Sequence, residues 1–408
     1  MSHTRRDFLK AGLGASALLS LGPVTPNALT ASRADERDTV LVIVQLSGGN
    51  DGLNTVIPYT DDAYARNRKT LRLPTADLHK IDDQVAFHPR MEPFLRLYQE
   101  GHLSIIHGVG HPKPDQSHDR AMRIWHTADP DRPERQTGWL GRTADHAWRP
   151  DTVETTAVFV GPIVRPFALN AECATVPRIR TAQDLVARTM PGGPAAQPEL
   201  ADRIATPDSD LLALLRHAAR TAQTQTKRVE AVINSSAGSG SYPSSGLARD
   251  LRTAAQLIRA AIGIRVIFVE LGGGGIGGFD NHANQLGNHC ALLGQLAEAV
   301  SAFVDDLDRD RLLDRVLLMT FSEFGRTVKE NGRRGTGHGA AAPVFLVGGK
   351  VKGGRIGSHP SLTDLDNGGL KFHADFRRVY ATVLDRWLGF DSNAVLGSRF
   401  EPLDVLKT

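Results

Sequence analysis

Val40-Leu41-Val42-Ile43-Val44-Gln45-Leu46 is a short, almost unbroken apolar run, and Ser47-Gly48-Gly49-Asn50-Asp51-Gly52-Leu53-Asn54 follows it directly. A run of this kind predicts a central parallel strand covered on both faces. Similar runs recur at Leu103 to Ile106, Ala157 to Val160, Val266 to Leu271, Val316 to Phe321 and Val344 to Val347. Helical stripes lie between several of them. Leu286, Leu293, Leu296, Val300, Phe303 and Leu307 make one, and Leu247, Leu251, Leu257 and Ile258 begin another. Phe376, Val379, Tyr380, Val383, Trp387 and Leu388 predict a docking helix near the end. Strand alternating with helix predicts an α/β sandwich on a mainly parallel sheet.

The front of the chain carries a different message. Thr4-Arg5-Arg6-Asp7-Phe8-Leu9-Lys10, followed by the small and apolar run from Ala11 to Leu21, reads as a twin-arginine signal peptide over residues 1–34. That route exports folded proteins, so the twin-arginine translocase is an expected partner and the expected location is periplasmic or secreted. The apolar run is shorter than the roughly 20 residues a stable membrane span needs, and no transmembrane anchor is expected.

About 370 residues remain after such a leader, enough for one large domain or two smaller ones. Apolar and charged shares of 41% and 23% suit an ordinary globular protein. The formal charge of +3 rests on the leader, because Arg5, Arg6, Lys10 and Arg33 outnumber Asp7 there by that amount. A near-neutral remainder removes the electrostatic case for nucleic acid. Two cysteines, Cys173 and Cys290, cannot build a disulfide framework, an iron–sulfur site or a haem attachment. Pairing and two buried free thiols stay equally open. Residues 171–245 are poor in strand signals and contain Met190-Pro191-Gly192-Gly193-Pro194 and a Ser/Gly stretch from Ser235 to Ser245. They are expected to form a helical insert or lid within a domain spanning 35–408.

The chemistry is expected in the loops at the strand ends. Phe279-Asp280-Asn281-His282 comes after one strand, Ser322-Glu323-Phe324-Gly325-Arg326 after another, and Gly335-Thr336-Gly337-His338-Gly339 precedes a third. Ligands of open α/β sheets bind outside the carboxyl ends of the strands, so Asp51, Asp280, His282, Glu323 and His338 should converge on one edge. Carboxylates gathered there would repel one another without a cation, and carboxylates mixed with imidazoles suit one or two divalent ions such as Zn²⁺ or Mn²⁺. Each Asp alone would read equally as a turn former and each His as a core residue. Ser117, at the start of a helical segment, is a candidate nucleophile because a helix N-terminus favours a developing oxyanion; its plain alternative is a helix cap. Gly272 to Gly277 matches the dinucleotide pattern G-x-G-x-x-G, but the acidic residue at Glu323 falls about 50 residues on instead of roughly 20. Gly48-Gly49 lacks the Lys of a phosphate-binding loop.

The twin-arginine leader, the motifs at 48–54, 279–285, 322–326 and 335–339, and Ser117-His118 together resemble the exported bacterial family catalogued as domain of unknown function 1501. That family is similar to the alkaline-phosphatase and sulfatase superfamily. The resemblance implies a three-layer α/β sandwich and a metal-assisted hydrolytic centre for phosphate or sulfate esters, small or polymeric. Residue by residue, it implies Asp51, Asp280, His282, Glu323 and His338 as metal ligands and Ser117 as nucleophile. His118 would orient the nucleophile or move a proton, and Arg326 would clamp anionic oxygens or make a structural ion pair. Gly337 stands where the family usually has Asp. The alternative expectation is a non-catalytic envelope binding or assembly protein that keeps the metal for structure.

Overall fold

Two apolar cores explain why the first run is unbroken. In a strand, alternate side chains point to opposite faces. Val40, Val42, Val44 and Leu46 belong to one core, whereas Leu41 and Ile43 belong to the other. The strand is therefore apolar at every position but Gln45, and each buried apolar side chain contributes roughly 1.5–3 kcal/mol. The structure is a computed structural model describing residues 39–148, 155–179, 224, 227, 229, 231–232, 240–272 and 278–407. These lie within one unit, Glu36–Thr408. The expected leader, most of the expected insert and residues 273–277 of the glycine-rich run lie outside the described residues.

The main sheet contains β1 (Val40–Leu46), β2 (Leu103–Gly110), β3 (Ala157–Val160), β4 (Arg178–Ile179), β5 (Val266–Leu271), β6 (Val316–Phe321), β7 (Ala342–Val347), β8 (Gly354–Ile356) and β9 (Ala374–Asp375). Its order is β8-β2-β7-β6-β1-β5-β3-β4, with β9 also on β2. Pairing is parallel except at β7, which runs antiparallel to both β2 and β6. The helices are α1 (Asp62–Asn67), α2 (Glu92–Gln99), α3 (His118–Thr127), α4 (Trp139–Ala147), α5 (Gly246–Ala260), α6 (Gln285–Arg309) and α7 (Phe376–Thr382), followed by a short terminal helix, Ser392–Leu396. Phe94 of α2, Leu251 of α5 and Leu296 and Val300 of α6 join the core on one face. Trp125 of α3, Leu140 of α4 and Val379 and Tyr380 of α7 join the core on the other. The result is the α/β architecture expected, with helices on both faces of a mainly parallel sheet.

Details differ from the expectation for physical reasons. Leu286 is exposed, because α6 starts at Gln285 and turns that residue inward; the next residue then faces away. The expected C-terminal helix is α-helical only to Thr382 and continues as a π-turn from Val383 to Leu388. Within the expected insert, Arg178–Ile179 is a short edge strand parallel to β3.

One consequence of the topology positions the site. Strands β1, β5, β6 and β2 all exit at the same edge of the sheet. An antiparallel strand enters where its neighbours leave, so the loop before β7, with His338, arrives at that edge too. The segment after β2 brings Ser117 and His118 there.

Candidate metal centre

The turn after β1 fixes the edge. Gly48 and Gly49 take φ values of +109° and +79°, which side chains rarely adopt. A Cβ on Gly48 would lie 2.5 Å from the Asp280 backbone nitrogen. The close approach lets the loop after β5 lie directly against the turn. Arg326, buried, locks the two together. Its Nε donates to the Gly49 carbonyl at 2.7 Å, and its Nη2 donates to the carbonyls of Gly48 and Phe279 and to Asp280 Oδ1 at 2.7 Å.

Three imidazoles surround that same Asp280 oxygen. His282 Nε2 lies 2.9 Å from it, His338 Nε2 3.1 Å and His118 Nε2 3.3 Å. His282 Nε2 and His338 Nε2 face each other at 2.9 Å. Donor atoms of His118, Asp280 and His338 all lie within 4.8 Å of one another. The tautomers follow from the partners. His338 Nδ1 lies 2.5 Å from the Gln116 carbonyl, which can only accept, so Nδ1 is the donor. His118 Nδ1 lies 2.8 Å from the Glu323 carboxylate and is a donor for the same reason. Neutral rings held this way turn their Nε2 lone pairs toward a carboxylate that also only accepts. His118 Nε2 is buried and has no hydrogen-bond partner. Lone pairs aimed together at one point fit a divalent cation with nitrogen and oxygen ligands, and imidazole Nδ1–H bonds to a carboxylate or carbonyl are the usual outer support of such ligands.

The electrostatics agree. The hydrogen bond to Glu323 raises the His118 pKa. Burial would raise the pKa of Asp280, but the hydrogen bond and charge of Arg326, with the imidazoles beside it, bring it down to about 2. Burial lowers that of His282.

Of the residues expected in the cluster, Asp280, His282 and His338 come together, and His118, expected beside the nucleophile, joins them. Glu323 stands one shell out. It accepts from the Gly48 N–H at 2.9 Å and holds His118, so its oxygens are engaged by the protein. Asp51 does not join. Its side chain, 2% exposed, is gripped by Arg68 through two hydrogen bonds of 2.5 and 2.9 Å and by Gln285. Burial, the largest influence, would raise its pKa, but the charge and hydrogen bonds of Arg68, with His289 and Gln285, together bring it to about 2. Ser117 caps α3 by position, yet its hydroxyl makes no capping hydrogen bond, and it lines a neighbouring cavity with Arg120, Arg123 and Asp131. Arg326 braces loops with every nitrogen of its guanidinium. Cys173 and Cys290 are free thiols.

A cavity of about 820 Å³ opens beside the cluster, lined by Ser47, Gly48, His118, Asp280, Asn281 and Glu323 among others. Ser47, Arg68, Gln285 and Glu270 escaped the sequence reading. Gln45 and Glu270 were visible as polar interruptions of apolar strands, and they are register partners across β1 and β5. Nothing local marked Arg68 as the partner of Asp51.

No curated protein matches the chain. Among solved structures it is similar to the lipoteichoic acid synthase LtaP from Listeria monocytogenes, at 8% identity and TM-score 0.38 over 89% of this chain and 76% of that one. It is similar to a protein in the alkaline phosphatase superfamily from Vibrio parahaemolyticus at 10% identity and TM-score 0.40, over 88% and 69%. It is also similar to the C-terminal periplasmic domain of EcEptC from Escherichia coli in complex with Zn, at 10% identity and TM-score 0.34 over 76% and 72%. The model of the family described as protein of unknown function (DUF1501) matches residues 38–396, and the chain belongs to that family.

Proposed function

We propose that this chain is an exported, metal-dependent hydrolase of phosphate or sulfate esters. The observation that carries the proposal is the meeting of three Nε2 atoms on Asp280 Oδ1 at the wall of an open cavity. His118, Asp280, His282 and His338 would hold one divalent ion, Zn²⁺ or Mn²⁺ by the donor types. Such an ion supplies Lewis acidity to a phosphoryl or sulfuryl oxygen. Glu323 fixes the ring plane and tautomer of His118, while Arg326 keeps Asp280 ionised and in place. Asn281 and Asn288, on the cavity wall, offer polar contacts to an ester. Ser117, the attacking group expected from the helix start, opens on the adjoining cavity; a hydroxyl on the wall of the first cavity meets the geometry better.

Export through the twin-arginine translocase is part of the proposal, supported by Arg5-Arg6 and the apolar run behind them. No helix among the described residues is long and apolar enough to cross a membrane. Replacing both arginines by lysine should hold the chain in the cytoplasm on fractionation.

The enzymatic test is turnover of aryl phosphate, phosphodiester and sulfate esters by chain reconstituted with Zn²⁺ or Mn²⁺. Turnover lost in Asp280→Asn is the expected result. A bound ion without turnover on that panel would favour a binding or assembly role. The sealing of Asp51 by Arg68, which leaves only one ligand group among the described residues, is the observation on that side.

A further inference from the structure

Gln45 and Glu270 lie side by side in the sheet, each interrupting an apolar strand. Polar groups placed there destabilise the fold unless hydrogen-bonded. A directed chain links them. His126 Nε2 lies 2.7 Å from Gln45 Oε1, Gln45 Nε2 donates to Ser47 Oγ at 2.7 Å, and Ser47 Oγ donates to Glu270 Oε1 at 2.5 Å. The direction is fixed because an amide NH₂ only donates and a carboxylate only accepts. The hydroxyl proton of Ser47 therefore points at Glu270, and a lone pair of Oγ stays available. Glu270 Oε2 is buried with no hydrogen-bond partner among the described residues.

The backbone presents this serine to the cavity. Its N–H donates to the Leu271 carbonyl at 3.0 Å, and its carbonyl accepts from the Phe279 N–H at 2.8 Å. The chain then swings away through left-handed Gly48 and Gly49. Ser47 is left on the wall shared with His118, Asp280 and Glu323. Ser322, the other serine at this edge, is buried and donates its hydroxyl to the Leu46 carbonyl. A nucleophile in hydrogen-bond reach of its base is the arrangement that covalent catalysis requires, and Gln45 holds the serine in place.

We propose that Ser47 is the nucleophile of this cavity and Glu270 its general base. The proposal rests on the cavity being an ester-hydrolysis site. Ser47 Oγ forms a bond to the phosphorus or sulfur of the ester while its proton passes to Glu270. The bond from that atom to the alcohol oxygen breaks, and the departing oxygen takes the proton from Glu270. Water then adds to the same atom, giving one proton to Glu270. The bond to Ser47 Oγ breaks, and Glu270 returns that proton to the serine.

The test labels full-length chain, reconstituted with Zn²⁺, with a biotinylated ethoxy fluorophosphonate. Here the Oγ–P bond forms, the P–F bond breaks, fluoride leaves and the hydroxyl proton goes to Glu270. Peptide mass spectrometry then locates the adduct. The expected result is labelling of Ser47 that persists in Ser117→Ala and slows about 100-fold or more in Glu270→Gln. Thermal unfolding of Glu270→Gln checks that it is folded, and mapping on the unaltered chain does not depend on any variant. Label on Ser117, or on no serine, overturns the assignment. Ester turnover without Ser47 labelling overturns it alone, whereas Ser47 labelling without turnover of any ester overturns the substrate class and keeps the nucleophile.

Discussion

Asp51 and Asp280 sit in loops after neighbouring strands, each against an arginine and each with histidines nearby, yet they do opposite things. Arg68 takes both oxygens of Asp51 in a fork, Gln285 adds a third contact, and the whole is sealed from water. His289 and His88, packed in the same region, are held neutral, because burial lowers their pKa values to about 4 and about 3. Asp280 is 43% exposed, and one of its oxygens serves Arg326 and three imidazoles at once. The pKa of His118 in this group is raised, first by its bond to Glu323. The lesson is that a carboxylate at a strand end stays available to an ion only when no permanent cation has taken its oxygens in a closed pair. In the sealed group the charge balances without an ion. In the open group it does not.

The sharpest way to break this contrast is Asp51→Asn. It leaves Arg68 buried and uncompensated, and should cost about 3–5 kcal/mol in chemical denaturation. Whatever fraction stays folded should still bind metal. Acidification comes next. Below the unfolded value of 6.5 the unfolded chain protonates its histidines, whereas His88 and His289 stay neutral in the fold until pH 3 to 4. Stability is therefore lost as pH falls from 6.5, by roughly 2 kcal/mol per ring at pH 5. Denaturation midpoints measured between pH 7 and 5 should show that slope, and His289→Gln should flatten it. The Asp51 contribution persists above 3.8 and disappears only as pH falls towards 2.

Asp280→Asn also takes the anion from buried Arg326, but that arginine keeps its carbonyl partners and Asp280 is half-exposed, so the variant should lose less stability than Asp51→Asn while weakening Zn²⁺ binding by about 100-fold or more in competition titrations. Glu323→Gln alters the outer support of His118 and the carboxylate's bond from the Gly48 N–H. It should weaken binding by roughly 10–100-fold. A larger loss of fold stability than of metal affinity in either variant would erase the contrast between the two regions.

The sheet was legible because burial on both faces forces nearly unbroken apolar runs, and all six runs named from sequence coincide with or lie inside strands. Apolarity says nothing of direction, however, and the run at Val344 lies in β7, which runs antiparallel. That reversal is what brings His338 to Asp280, His282 and His118. Asp280, His282 and His338 were legible as a group because strand ends share an edge. Asp51 looked equivalent, since the residue that closes it off, Arg68, lies at the end of a short helix with no motif of its own. Ser47 was hidden in plain view beside Asp51, because its importance depends on Glu270 from another strand, and register between strands is not written in either one.

The central claim is that Asp280 and its three imidazoles hold the ion. X-ray absorption at the zinc edge of Zn²⁺-loaded chain, compared with His338→Ala, tests it most directly. The account predicts nitrogen and oxygen neighbours at about 2.0–2.1 Å with strong imidazole scattering, weakened or lost in the variant. An unchanged spectrum in His338→Ala, or a chain that takes up no metal in the absence of chelators, would contradict it.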